Sequence, residues 1–302
     1  MTKQLNTYVV EGGVGKCVAF TALIQKLAKK AGQPIQIYTP YIGCFANNPN
    51  VKLAFEQTLP LTDPRIMASD NIFYSEPYKS NFQFGKQHLI EAYSKLHDIE
   101  FTREMKPHIY TGSIADDVAK WLKDKEIKGD YILVQFTGGQ SGWTLGQNTQ
   151  YTNNNPNRNY PYHLAQTLIN MIKGKYPDLT IIDCTLPNEP GYLNTIKCDM
   201  HWTGVHELMK EAKTFICIDT CMNHFSASNK MSGTVIWGST RWIQFGYTHN
   251  TNLHFHMTDK WDETRFNPED PRNPMVDPEI VFNSFINHYE NPKDNVEVLC
   301  AS

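Results

Sequence analysis

The chain has 302 residues, 40% of them hydrophobic, a formal net charge of −3 and a mean hydropathy of −0.47. That length and apolar content suit two domains of ordinary size with real cores. The small net charge excludes the strong basic field of a general nucleic-acid binder, and no apolar run reaches membrane-spanning length.

The charge is unevenly spread. Residues 1–129 carry 16 Lys+Arg against 13 Asp+Glu, and residues 130–302 carry 12 against 18. A mildly positive first half tolerates an anionic substrate. Seven cysteines (17, 44, 184, 198, 217, 221 and 300) form no C-x-x-C pair. Their odd number and strand-like surroundings point to reduced, buried thiols. No secretory leader is recognisable, so the expected setting is cytoplasmic, without stable membrane insertion.

Tyr8–Val10 reads as a first strand, Gly12-Gly13-Val14-Gly15 as a Gly-rich turn, and Lys16–Ala31 as a helix. Phe20, Leu23, Ile24, Leu27, Ala28 and Ala31 share one stripe of that helix. Gly32 ends it, and Ile35–Tyr38 is the second strand. This βαβ opening implies a parallel sheet whose ligand edge is the turn. The loop Glu11–Cys17, EGGVGKC, resembles the variant P-loop K-G-G-x-G-K-[ST] of partitioning-type ATPases. Glu11 replaces that loop's first Lys, and Cys17 replaces the hydroxyl that holds Mg²⁺. A tight turn without a ligand is the plain alternative.

A helix is expected from Ser113 to Lys125. Near Gly129 a second domain begins, with strand Tyr131–Phe136 and a turn at Thr137-Gly138-Gly139. Asn148–Asn159 is a polar loop. Helix Tyr162–Lys173, strand Leu179–Asp183, helix Val205–Ala212 and strand Phe215–Ile218 follow. The polar turn from Asp219 then leads into helix Asn223–Ser228, and Gly233 precedes strand Thr234–Trp237. Trp261–Pro278 is Pro- and Asp-rich, hence irregular, and Pro278 starts helix Glu279–Tyr289.

The turn at Asp219 organises this reading. Free N–H groups and the positive end of a helix dipole meet at the carboxyl end of a strand, which favours an anion. The plain alternatives are an N-cap at Asp219 and a core histidine at His224. His254 and His256 share a strand face, but no third ligand has clear spacing, so no metal site is expected.

These residues also carry a family resemblance. Asp219, Thr220, Cys221 and His224, followed by a strand and Gly238-Ser239-Thr240, resemble the D-[ST]-G-x-x-H and G-P-T segments of the heptosyltransferases, glycosyltransferase family 9. Cys221 replaces the family's Gly and Ser239 its Pro. Other landmarks follow in order. Gly13–Lys16 resembles G-x-G-D, Asn48–Val51 resembles N-P-x-[VI], and Gly85–Leu96 resembles the family's helix that begins H-x-[VI]-E, here at His88. Pro107–Tyr110 resembles P-x-[IL]-Y, Arg158–Pro161 resembles K-x-W-P, and Phe245-Gly246-Tyr247 resembles a glycine-tyrosine stretch.

The resemblance implies the GT-B architecture, an α/β fold of two Rossmann-like domains with parallel sheets facing across a cleft. Residues 1–128 would form the acceptor domain and 129–277 the nucleotide-sugar donor domain. The helix and tail over 278–302 would pack back towards the first domain. The implied activity is an inverting, metal-independent transfer from a nucleotide-diphosphate sugar, ADP- or UDP-linked. The acceptor is a saccharide hydroxyl, as in lipopolysaccharide; a modified DNA base is another acceptor, one the charge balance does not favour. No cofactor is implied. Thr137, Gly138, Arg158, Glu189, Asp219, Thr220, Cys221, Met222 and His224 would bind the donor, and Gly13, Gly15 and His88 the acceptor. Lys16 stands where the family has its acidic base. The catalytic candidates are therefore Glu11, the nearest carboxylate, as base, and Lys16 as a binding group. Two alternatives stay open: a P-loop-like ATPase, and a nucleotide-sugar-binding protein without catalysis.

Overall fold

In a computed structural model of the chain, the described residues are 5–56, 62–79, 87–138, 158–186, 189–238, 240–254, 276–292 and 297–301. Ser239, Gly139, Asn188, Phe255–His256, most of the 148–159 loop and most of the 261–278 stretch lie outside them.

In chain order the first part holds β1 (Asn6–Val9), α1 (Val14–Phe20), α2 (Ile24–Ala31), β2 (Ile35–Thr39), β3 (Val51–Glu56), α3 (Pro64–Met67), β4 (Asn71–Tyr74) and α4 (Leu89–Leu96). The second part holds α5 (Ile114–Asp124), β5 (Tyr131–Gln135), α6 (Tyr162–Lys175), β6 (Thr180–Asp183), β7 (Ile196–Lys197), α7 (Trp202–Met209) and β8 (Phe215–Ile218). It continues with α8 (Cys221–Asn229), β9 (Thr234–Trp237), α9 (Trp242–Phe245), β10 (Thr251–His254) and α10 (Pro278–Glu290).

Two sheets result. The first runs β3-β2-β1-β4 and the second β10-β9-β8-β5-β6-β7. Every described strand pair within them is parallel. Counted from β5, the second sheet has the strand order 3-2-1-4-5-6 of dinucleotide-binding domains. The first sheet has the 3-2-1-4 portion of the same order. Each sheet thus has one switch point, between β1 and β4 in the first and between β5 and β8 in the second. Crevices open at the carboxyl ends of those strands.

Local chemistry explains the element ends. Gly32 closes α2 with a left-handed φ of 69°, which glycine adopts without a Cβ penalty. Asp277 caps α10 by accepting from Glu279 N at 2.8 Å, and Pro278 fills the first helical position. The expected single helix 16–31 is instead two helices joined by a tight turn at Thr21–Leu23. Thr21 Oγ1 donates to Val18 O at 2.6 Å and accepts from His108 N at 2.9 Å. A contact 87 residues away therefore shapes this break.

The main core is continuous across both domains. It joins Val18, Phe20, Leu27 and Tyr93 of the first to Leu133, Cys217, Phe225 and Trp237 of the second. A separate core under the far face of the second sheet holds Ile132, Ile169, Ile216, Val281 and Phe285. Within the 278–302 segment, α10 packs on α6 and β9 of the second domain. The tail beyond it reaches the first domain, where Cys300 N donates to Arg103 O at 2.9 Å. α5 likewise packs on α7, with Trp121 Nε1 donating to Asp199 Oδ1 at 2.5 Å. All seven cysteines are free, six of them buried.

Candidate functional site

The two switch points face one cleft of about 1000 Å³, lined from both domains. The first domain contributes Gly12, Gly13, Val14, Gly15, Lys16, Tyr41, Tyr78 and Leu89. From the second come Gly138, Arg158, Thr185, Trp202, Asp219, Thr220, Cys221 and His224, among others. α1 and α8 pack against each other at its base, and both begin at the cleft.

On the second domain, Phe215–Ile218 is fully buried, so the chain can turn only at the sheet edge. Thr220, not Asp219, caps α8: its Oγ1 accepts from Met222 N at 3.3 Å. The Asp219 carboxylate is thereby left to Arg158, whose Nη1 lies 3.4 Å from Oδ2. The Arg158 Nε is buried and has no hydrogen-bond partner among the described residues. A buried charged donor in this state costs free energy unless an anion meets it. Arg158 is carried there by Asn159, whose Oδ1 accepts from Gly138 N at 3.0 Å.

His224, one turn into α8, is 4% exposed. Its Nδ1 is 2.9 Å from Tyr247 Oη. A Cβ at Gly15 would stand 3.0 Å from His224 Cδ2 and 3.4 Å from Nε2. Glycine is therefore what lets α1 and α8 approach. Burial lowers the His224 imidazole to about 4, against the opposing pull of Asp219. The ring is neutral near pH 7. Burial also pushes the Cys221 thiol up to about 12, so it is no nucleophile.

On the first domain, Lys16 Nζ donates to both carboxylate oxygens of Glu76, at 2.7 and 2.9 Å, and sits 4.2 Å from the Tyr78 ring centroid. Tyr78 N donates to Glu76 Oε1 at 3.0 Å. Burial first, then the negative charges of Asp219 and Glu76, raise the Tyr78 phenol above its ordinary range. Tyr78 thus stands between the two domains' charged pairs. Neither Glu76 nor Tyr78 was singled out from the sequence, because no motif connects them to the Gly-rich loop 60 residues earlier.

Most expected site residues converge. Gly13, Gly15, Lys16, Gly138, Arg158, Asp219, Thr220, Cys221 and His224 all line the cleft. Others do not. Glu11 is absent from the lining; it lies near Tyr38, whose phenol is raised by burial and then by Glu11 and Tyr74. His88 is 1% exposed and caps α4, its Nδ1 accepting from Ile90 N at 3.2 Å. Met222 is fully buried beneath the turn. Thr137 Oγ1 donates to Glu189, and neither residue lines the cleft. The P-loop alternative needs a hydroxyl facing the nucleotide. Cys17 is instead fully buried, with its Sγ 3.4 Å from Thr39 Oγ1 in the core. Among the described residues, no group of three or more His, Cys, Asp or Glu side chains is placed to hold a metal. No described helix is long and apolar enough to cross a membrane.

Two parallel α/β domains of this strand order, meeting over one cleft, define the GT-B architecture. Solved structures share it over nearly the whole chain. A glycosyltransferase family 9 protein from Veillonella parvula has a TM-score of 0.70 at 11% identity, covering 94% of this chain and 96% of its own. The E. coli ADP-heptose lipopolysaccharide heptosyltransferase II scores 0.62 at 9% identity, covering 95% and 98%. The E. coli heptosyltransferase WaaC with ADP scores 0.51 at 11% identity, covering 83% and 91%. No protein-family model matches the sequence, and no curated protein matches it.

Proposed function

We propose that the protein is a glycosyltransferase that moves a sugar from a nucleotide-diphosphate sugar to an acceptor hydroxyl, with inversion and without a divalent metal. One observation carries this reading: Arg158, with its unpaired buried Nε, meets Asp219 and the start of α8 at the switch point of the second sheet. A diphosphate fits that site, since it offers the anionic oxygens that a guanidinium and free helix N–H groups receive. The second domain would hold the donor, over roughly 129–277, and the first domain the acceptor.

Transfer requires the acceptor hydroxyl to attack the anomeric carbon while the C–O bond to the diphosphate breaks, through an oxocarbenium-like state. Charge then develops on the leaving phosphate. Arg158, the neutral His224 and the N–H groups opening α8 are the groups available to stabilise it. Lys16 is assigned to binding an anionic part of a substrate, aimed by Glu76. Support for the donor class comes from the shared fold, since two of the similar structures are heptosyltransferases, one of them solved with ADP. The acceptor is proposed to be a saccharide.

The test is a screen of ADP- and UDP-linked sugars against saccharide acceptors, with and without EDTA, read by mass spectrometry. Transfer that survives EDTA supports the reading. Nucleotide hydrolysis that needs Mg²⁺, with no sugar transferred to any acceptor or water, would sink it.

A further inference from the structure

The buried Tyr247 lies behind His224, on the side away from the cleft. Tyr247 is 0% exposed, and its hydroxyl has one hydrogen-bond partner among the described residues, the Nδ1 of His224 at 2.9 Å. The phenol ring is fixed from several sides. His88 lies edge-on at 5.2 Å, His249 lies tilted at 5.8 Å, and the Tyr247 backbone bridges to Cys300. The opposite edge of the imidazole, Cδ2 and Nε2, faces Gly15 and the cleft.

A neutral imidazole has one N–H and one acceptor nitrogen, and its partner decides which is which. A buried phenol that donates to nothing pays the desolvation cost of its O–H. Donating to Nδ1 removes that cost. The proton of the ring must then sit on Nε2. We propose that Tyr247 is a positioning residue that holds His224 in its Nε2–H form, so that His224 offers the cleft a neutral hydrogen-bond donor for an anionic oxygen. This rests on the glycosyltransferase reading only for the identity of that oxygen, a diphosphate oxygen of the donor.

The assignment has a chemical consequence. With Nδ1 occupied and Nε2 protonated, His224 cannot take the acceptor's proton. Nor is it a cation: burial lowers the ring, Asp219 opposes that shift, and the other ionisable groups about it are His88, Tyr247 and Cys221, with Lys16, Arg158 and Tyr78 lining the same cleft. A neutral donor strengthens its bond as charge builds on the leaving phosphate and then lets the product go without a full ion pair.

The experiment is ¹⁵N NMR of the ring nitrogens in protein labelled at histidine, with His224→Gln identifying the signals. In the wild type, Nδ1 is expected to resonate as an unprotonated nitrogen and Nε2 as a protonated one. The reverse pattern, or a doubly protonated ring near pH 7, would overturn the proposal. In Tyr247→Phe the two nitrogens are expected to move towards a mixture of tautomers. The affinity for ADP or UDP, whichever the wild type binds, is expected to fall about threefold to tenfold, the worth of one neutral hydrogen bond. An unchanged ring spectrum in Tyr247→Phe would remove Tyr247 from the role. Wild-type protein with the expected tautomer but no nucleotide binding would leave the tautomer standing and defeat the glycosyltransferase reading instead.

Discussion

Lys16 Nζ and Glu76 Oε2 lie 2.7 Å apart, and they join the two strands of the first domain's switch point. Lys16 lies in the first turn of α1, after β1, and Glu76 lies just past the end of β4. The sequence alone places a lysine at the positive end of a helix dipole, an arrangement that asks for a compensating anion. Glu11 is the near candidate along the chain. In the folded protein the partner is Glu76, because β4 pairs beside β1 and brings it there.

The pair should matter for stability. Both side chains are mostly buried, at 13% and 17% exposed. Among the described residues, Lys16→Met leaves the Glu76 carboxylate with the Tyr78 N–H as its one hydrogen bond. The expected loss is about 1.5–3 kcal/mol, typical of a charged hydrogen bond. Urea unfolding measures it. A midpoint equal to the wild type would show that Lys16 serves substrate alone.

Glu11 offers a separate test. It does not line the cleft, so Glu11→Gln is expected to keep turnover within about threefold, far from the 10²–10⁴-fold worth of a general base. A collapse of kcat in that variant, with the fold intact by circular dichroism, would restore Glu11 as the base and require the Gly-rich loop to rearrange.

Arg158 is the residue on which the donor site turns. Arg158→Ala is expected to weaken binding of ADP or UDP by about 1.5–3 kcal/mol, measured by calorimetry. Because Asp219 then loses its guanidinium, Asp219→Asn in the Arg158→Ala background should recover part of that loss by removing an unpaired charge beside the phosphate. Equal affinity in Arg158→Ala and wild type would place the diphosphate elsewhere.

The legible parts of the fold were those where burial speaks through composition. Phe215–Ile218 and Thr234–Trp237 match the expected strands residue for residue, since each is fully buried and apolar but for Thr234. β3 and β4 were not anticipated. VKLAFE and NIFY lie at the two edges of the first sheet, where Leu53, Ile72, Phe73 and Tyr74 remain exposed, so no clean burial pattern marks them. α7 starts three residues earlier than expected, because Gly204 reads as a helix breaker. In place it packs so tightly on Met200 that a Cβ would come within 2.8 Å of Met200 Cε. In the site, adjacent-residue motifs at Asp219 and Arg158 were readable. Glu76, Tyr78 and Tyr247's bond to His224 were not, because each depends on strand order rather than spacing.

Buried histidines make the fold acid-sensitive. Burial lowers His88 and His249 to about 3, and His97, His206 and His224 to about 4. In the unfolded chain each returns to about 6.5. Between those values the unfolded state binds protons that the folded state refuses, so stability rises with pH. Read downwards, the stabilisation is present above about pH 6.5 and is lost as pH falls towards 4 and then 3. His206 isolates one contribution away from the cleft. Its Nε2 is 3.2 Å from Ser228 Oγ, and its Nδ1 has no partner among the described residues. The charges near it are Lys210, Glu207 and His108. At pH 5, His206→Asn is expected to reduce the slope of unfolding free energy against pH by about 1.2 kcal/mol per pH unit, just under the value for one whole proton. Denaturant melts of the two proteins from pH 4.5 to 7 measure both slopes. Parallel lines would mean that His206 takes up its proton in the folded protein near its ordinary pKa, and would sink the prediction.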